Sequence, residues 1–261
     1  MPMENKWAII LGCSTGHGAA TAKQLASEGY GIIGFHLDRG SIKKDALKLQ
    51  EEISNINNNK VQFWNANAAD KEVMLEKMTD IKRIIKDGEV KLLMHSIAFG
   101  STTNFFDPTP VRQRQMDMTQ HVMAHCLIYW TQSLLDEGLL KAGSRVLGLT
   151  SEGSYKAMEG YGPVGVAKAS LEAVVRQIGW ELGSQGITAN TIQAGITPTR
   201  ALTKISENWE DWVERTKERN PMKRVTTPED VAGLVSLLLN DKANFINCST
   251  IFCDGGEHRS L

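Results

Sequence analysis

A glycine-rich turn set directly behind an apolar run is the feature that most narrows what this chain can fold into. Trp7 to Leu11 reads as a strand. Gly12-Cys13-Ser14-Thr15-Gly16-His17-Gly18 follows it without a spacer and leads into a helical stretch from Ala19 to Glu28. Glycine adopts backbone conformations closed to residues with a Cβ and lets the main chain approach a ligand closely. The free N–H groups at the start of the following helix carry partial positive charge and suit an anion. A glycine triplet alone could be a simple turn; placed between strand and helix, it predicts a cradle for a pyrophosphate. Gly12, Ser14, Thr15, Gly16, His17 and Gly18 are the candidate contacts.

The remaining chain repeats the same alternation. Gly31 to Phe35, Val61 to Trp64, Leu92 to His95, Arg145 to Leu149, Thr188 to Ile192 and Thr250 to Cys253 are short apolar runs. Several lack polar alternation, as expected when helices cover both faces of a sheet. Between the runs lie amphipathic stretches, such as Val164, Ala167, Leu171, Val174, Ile178 and Leu182, which share one helical face. Thr227-Pro228 predicts a helix start, with Thr227 as N-cap and Pro228 in the first turn. Asn57-Asn58-Asn59 reads as a loop tip, and Asp254-Gly255-Gly256 as the turn that closes the last strand. The expected fold is α/β: a doubly wound, mostly parallel seven-stranded sheet with helices on both faces, forming one domain over residues 1–261.

Composition removes several function classes. A net charge of −1 gives no global field for nucleic acid or anionic lipid. No apolar stretch reaches the roughly 18 residues of a membrane helix. The N-terminal Met1 to Lys6 lacks a signal-peptide core, so a cytoplasmic location is expected. Cys13, Cys126, Cys248 and Cys253 are scattered and read as reduced thiols. His17, His121, His125 and His258 show no metal-ligand spacing. His121 and His125 could share a helix face and read as a structural pair, so no metal is expected.

The Gly-x3-Gly-x-Gly spacing of Gly12, Gly16 and Gly18 resembles that of the short-chain dehydrogenase/reductases. The resemblance runs from about Trp7 to Gly256, with Leu11 standing where those proteins often have Thr. It implies a Rossmann-type fold and a nicotinamide cofactor. Most members carry Tyr-x3-Lys, but counting back from Lys168 that position holds Val164. The tyrosine comes earlier, giving Tyr161-Gly162-Pro163-Val164-Gly165-Val166-Ala167-Lys168. Tyr-x6-Lys resembles the enoyl-acyl-carrier-protein reductases. His95-Ser96-Ile97-Ala98-Phe99-Gly100 and Ala167 to Ala173 are similar to that subgroup as well. The glycine loop keeps the common form. Ser151, seventeen residues before Lys168, stands at the superfamily's usual catalytic serine, where many enoyl reductases have a second tyrosine. Tyr155 is near but differently spaced, and His121 stands loosely where relatives have a helix asparagine.

The resemblance distributes cofactor contacts along the chain. His36, Asp38 and Arg39 end the second strand. An acidic residue there would hold a ribose 2′-hydroxyl, whereas His36 and Arg39 could receive a 2′-phosphate. The cofactor is NADP(H) or NAD(H), with NADPH slightly favoured. Asn67 and Ala68 fall at the adenine site, Ser96 and Ile97 after the fourth strand, and Thr197 and Thr199 at the nicotinamide carboxamide.

The displaced tyrosine suggests the chemistry. Three residues of helix span about 5 Å. A phenol moved that far suits an oxygen remote from the carbon that takes hydride, as in an enoyl thioester. The catalytic candidates are Tyr161, Lys168 and Ser151: Tyr161 on the thioester carbonyl, Lys168 on the nicotinamide ribose and electrostatically on Tyr161, and Ser151 assisting or shaping the pocket. Residues 200–221, with Trp209 and Trp212, read as a substrate lid; Phe99, Phe105 and Phe106 are candidates for the same pocket. The expected activity is reduction of an enoyl thioester carried on acyl carrier protein or coenzyme A, in fatty acid synthesis. A ketone reductase with a displaced tyrosine and a non-catalytic dinucleotide sensor are the alternatives. No nucleic-acid or membrane partner is expected, and the resemblance implies a homotetramer.

Overall fold

The computed structural model describes residues 5–260 except 59, 107, 206 and 207. Met1 to Glu4, Asn59 of the expected loop tip, two residues of the expected lid and Leu261 thus lie outside the described residues. The strands are β1 Lys6–Leu11, β2 Gly31–His36, β3 Val61–Asn65, β4 Glu89–His95, β5 Arg145–Thr150, β6 Thr188–Ala194 and β7 Thr250–Cys253. They form one seven-stranded sheet in the order β3-β2-β1-β4-β5-β6-β7. Every pairing is parallel, so the sheet is wholly rather than mostly parallel.

Alternation along β1 explains the layers. Trp7, Ile9 and Leu11 pack into one core with Met78, Ile81, Leu127, Trp130, Leu171 and Ile178. Those residues come from α3 Lys71–Ile85, α5 Cys126–Asp136 and α6 Gly162–Leu182. Ala8 and Ile10 point the other way, into a core with Leu25, Ile53, Val231 and Val235. These come from α1 Gly16–Ser27, α2 Ser41–Ile56 and α9 Pro228–Leu238. A strand buried on both faces has no polar face to show, which is why the runs looked continuous.

Helix starts follow local chemistry. Asp230 Oδ2 accepts from the Thr227 N–H at 2.9 Å, and Asp230 N–H donates to the Thr227 hydroxyl at 3.3 Å, so Thr227 caps α9 reciprocally. Tyr161 is the N-cap residue of α6, with Pro163 in its first turn. Two shorter helices, α7 Arg200–Ile205 and α8 Trp209–Arg219, cross the lid region, and α4 Gln113–Gln120 precedes α5.

Between α4 and α5 the chain forms a π-helical turn, His121–His125. The two histidines of the expected structural pair sit at its ends and meet different neighbours. His121 Nε2 meets the Ala69 carbonyl at 2.6 Å, while His125 Nε2 meets the Ser170 hydroxyl at 3.4 Å. Among the described residues no group of acidic, histidine or cysteine side chains could hold a metal, and the four cysteines are free. No described helix is long and apolar enough to cross a membrane.

The chain runs outward from β1 to β3, then returns across β1 to β4. In open parallel sheets this reversal leaves a crevice at the carboxyl ends of the two central strands, where ligands bind. The glycine turn after β1 and Ser96 after β4 meet there: a Cβ built on Gly12 would lie 2.6 Å from the Ser96 carbonyl oxygen.

Candidate active site

The glycine turn leaves no space for side chains. Gly12 and Gly16 have φ of +93° and +56°, in the left-handed region. A Cβ on Gly18 would fall 1.9 Å from the Gly12 carbonyl oxygen. Gly12 and Cys13 both donate to the Phe35 carbonyl, at 2.8 and 3.1 Å, and Ser96 N–H donates to Leu11 O at 2.8 Å. The turn is therefore pinned to β2 and β4 and stays open to an anion at the start of α1. The segment after β6 leans on it, with the Thr199 methyl 3.3 Å from where a Gly16 Cβ would stand. Thr197 is buried and its hydroxyl donates to Gly195 O at 2.9 Å. His17 Nδ1 is buried without a hydrogen-bond partner. Burial first, then the charge of Lys168, pulls its pKa down to about 4, with Glu229 opposing. A tight backbone turn in which the glycines have no room for a Cβ, at the start of α1 and beside an orphaned imidazole nitrogen, fits a dinucleotide.

At the far end of the crevice, His36 Nδ1 pairs with Asp38 Oδ2 at 2.8 Å. The Asn65 side chain holds the Asp38 main chain from both sides, accepting from its N–H at 2.9 Å and donating to its carbonyl at 3.0 Å. Arg39 is exposed. Asp38 also helps raise the pKa of buried Cys13, behind burial itself, which puts the carboxylate within electrostatic reach of the glycine turn. The Asn67 carboxamide oxygen accepts from Ala69 N–H at 3.1 Å, and the Ala68 carbonyl accepts from the Trp130 indole at 2.7 Å, fixing the turn after β3.

The reactive candidates gather around the start of α6. The Tyr161 and Ser151 hydroxyls are 3.1 Å apart. Tyr161 is buried, packed with Val122, Met123 and Val164. Burial raises its pKa, the Ser151 hydrogen bond opposes, and the Glu152 charge adds to the rise. The phenol is thus a protonated donor at neutral pH. Lys168 Nζ, also buried, donates to Leu149 O at 2.7 Å. Desolvation lowers its pKa to about 8, with Glu172 opposing. Its charge bears on His17 and on wholly buried His95, whose pKa burial and Lys168 bring to about 4. His95 Nε2 meets Val122 O at 3.0 Å; its Nδ1 has no partner. Val164, at the Tyr-x3-Lys position, is buried.

A cleft of about 650 Å³ opens beside Tyr161, walled by Phe105, Phe106, Tyr155, Met158 and Val166. Phe99 is exposed and does not line it. Trp209 and Trp212 of α8 are half-buried. Two features escaped the sequence. Gln193, buried on β6, donates to the Tyr155 hydroxyl at 3.0 Å. Glu257, buried near the C-terminus, accepts from Ile196 N–H at 3.0 Å and from Arg219 at 3.3 Å. The sole signal for Glu257 is its place just beyond the Asp254-Gly255-Gly256 turn.

Comparison with known proteins adds four findings. The sequence profile of the family described as enoyl-(acyl carrier protein) reductase matches residues 12–258. The enoyl-[acyl-carrier-protein] reductase [NADH] FabI of Enterococcus faecalis is 28% identical over 261 residues, 99% of each chain. Dehydrogenase/reductase SDR family member 4 of Sus scrofa is 26% identical over all of this chain and 90% of its own. Among solved structures, an enoyl-acyl-carrier-protein reductase from Anaplasma phagocytophilum in complex with NAD superposes with a TM-score of 0.81. It is 24% identical, covering 99% of this chain and 94% of that one, which shows the shared fold.

Proposed function

Because the chain belongs to the enoyl-(acyl carrier protein) reductase family of nicotinamide-dependent short-chain oxidoreductases, we propose that it reduces the carbon–carbon double bond of an enoyl thioester carried on acyl carrier protein. The observation that carries this reading is the placement of Tyr161. Its hydroxyl lies 3.1 Å from that of Ser151 at the N-cap of α6, the residue is among those that line the cleft of about 650 Å³, and an aliphatic side chain fills the later position at Val164. Gly12, Ser14, Thr15, Gly16, His17 and Gly18 would hold the dinucleotide's pyrophosphate, with Ser96, Ile97, Lys168, Thr197 and Thr199 at its nicotinamide end. When bound, it supplies the hydride for the β carbon.

This chain's residues handle the charge that results. Negative charge builds on the thioester oxygen, two bonds from the β carbon's partner. Tyr161, held protonated by burial, donates a hydrogen bond to that oxygen, and the enolate then takes a proton at the α carbon, so that one hydride and one proton are added in all. One such donor is worth about 2.7–4 kcal/mol of barrier. Ser151 shares a hydrogen bond with the phenol and aims it. Lys168 supplies the buried cationic group of the crevice. The aromatic wall of Phe105 and Phe106 suits an acyl chain, and α7 with α8 would serve as the substrate lid.

The cofactor preference we propose is NADH, reversing the slight lean to NADPH. Asp38, rather than Arg39, is the group fixed at the β2 tip, and a carboxylate there repels a 2′-phosphate. The relative from Enterococcus faecalis, named for NADH, is consistent with it. A homotetramer in the cytoplasm completes the proposal. Trp180 on α6 and Leu237 on α9 are exposed and would be covered by neighbouring copies.

The test follows NADH and NADPH oxidation with a crotonyl thioester, an acetoacetyl thioester and a simple ketone. Turnover confined to the crotonyl thioester supports the reading. Preferential reduction of the acetoacetyl thioester would make the protein a ketone reductase instead. Sedimentation of the same sample reads the assembly.

A further inference from the structure

The buried carboxylate of Glu257 joins three segments of the chain. It belongs to the C-terminal turn beyond β7, is 3% exposed, and has no part in the chemistry proposed. One oxygen, Oε2, accepts from the Ile196 N–H at 3.0 Å, on the segment that runs on to Thr197 and Thr199. The other, Oε1, accepts from Arg219 at 3.3 Å, the last residue of α8. Space for the carboxylate exists because residue 195 is glycine: a Cβ there would stand 2.4 Å from Glu257 Oε2. Next along the chain, buried Asn220 donates to the Asp254 carbonyl at 2.8 Å, so the end of α8 is bolted to the same turn twice. A buried acid is costly unless both oxygens are satisfied. Keeping one here, where an aliphatic residue would pack, points to a need for two separate acceptors on one rigid group.

We propose that Glu257 is a positioning residue that couples the segment at the nicotinamide end, through Ile196, to the lid helix, through Arg219. Cofactor occupancy and lid position are then linked by one carboxylate. This rests on the reading that residues 195–199 meet the cofactor and 200–221 cover the substrate. Glu257→Gln keeps an oxygen for the Ile196 N–H but loses the charge that draws Arg219. Arg219→Ala removes the lid side alone, and Glu257→Ala removes both.

The experiment uses the full chain and three readouts: NADH affinity by fluorescence titration, KM and kcat with a crotonyl thioester, and hydrogen exchange in α8 with and without NADH. Melting temperatures confirm that each variant is folded. Glu257→Gln and Arg219→Ala should each raise KM about tenfold, the effect of losing a hydrogen bond to a charged group, with kcat and NADH affinity little changed. The double variant should add nothing further, because both changes cut one link. Glu257→Ala should also weaken NADH binding about tenfold. NADH should slow exchange in α8 of the wild type and fail to do so in Glu257→Gln. Equal slowing in both proteins, or additive effects in the double variant, would overturn the coupling. If the wild type ignores the crotonyl thioester yet the exchange result holds, the proposed reaction fails and the coupling stands.

Discussion

At Gly18, a single added carbon would land 1.9 Å from a carbonyl oxygen of the same turn; at Tyr161, the reactive hydroxyl is held by one side chain, Ser151, 3.1 Å away. The cradle for the phosphates is made of main chain, pinned by hydrogen bonds from Gly12 and Cys13 to Phe35 and from Ser96 to Leu11. The chemical end is made of side chains drawn from β5, α6 and the loop between them. A backbone site is specified by the absence of atoms, so it tolerates almost no substitution and little chemical variation. A side-chain site can change its reaction by moving one phenol along a helix start while the sheet beneath it stays the same.

The largest expected effect breaks the rigid half. Gly18→Ala puts its methyl into the main chain of Gly12, which no rotamer change relieves. Overpacking of this kind costs about 3 kcal/mol or more. NADH binding should vanish in a fluorescence titration and the melting temperature should drop. Normal binding would show that the turn can open and that the contrast with Tyr161 is overstated. Breaking the other half should spare the first. Tyr161→Phe keeps the buried ring and removes the donor, so kcat should fall about 100- to 1,000-fold while NADH affinity holds. A variant with near-normal kcat would take Tyr161 out of the mechanism.

The contrast also explains what could be read from the sequence. The cradle was legible because the glycines at 12, 16 and 18 are required by local geometry that spacing alone encodes. The strands were legible as apolar runs, but their ends were not. β4 begins at Glu89, where Glu89 and Lys91 pair at 2.8 Å, and β6 runs on through Gln193, whose buried amide nitrogen donates to Tyr155. A polar residue at a strand end takes its partner from the same strand, as Glu89 does, or from a distant loop, as Gln193 does, and a partner of the second kind is invisible in one dimension. Tyr161 and Lys168 were legible as a spacing, yet Lys168 turning to Leu149 and the phenol's upward pKa shift follow from burial. Glu257 and the π-turn at His121–His125 depend wholly on distant segments.

One intermediate effect probes the seam between the two halves. His17 belongs to the cradle and His95 to β4, and both are held neutral, with pKa values of about 4 against the usual 6.5. Between those values the unfolded chain binds protons that the folded one refuses. Stability is therefore full above about pH 6.5 and is lost as pH falls toward 4. Wholly buried His95 alone accounts for about 3 kcal/mol of that loss. Denaturant titrations at pH 7 and pH 5 read it. His95→Gln should flatten the slope, and an unchanged slope would mean that the His95 imidazole is not sealed from water.

The smallest effect is the sharpest test of how loosely the chemical end is built. Ser151→Ala deletes the hydroxyl 3.1 Å from Tyr161 and leaves the ring packed against Val122, Met123 and Val164. If packing alone aimed the phenol, kcat would change little. If the hydrogen bond aims it, the loss should be about 1.4 kcal/mol, tenfold in kcat, the upper end of the net worth of an ordinary hydrogen bond. A second consequence has a fixed sign. Ser151 is the neighbour that lowers the Tyr161 pKa against burial, so its removal should push the phenol's titration further up. The difference spectrum of tyrosinate in alkaline titration follows that step, with Tyr161→Phe identifying the band. A tenfold loss with an upward shift assigns Ser151 to the phenol. A tenfold loss without the shift would mean that Ser151 acts on the substrate directly, and the chemical end would then hold two independent donors.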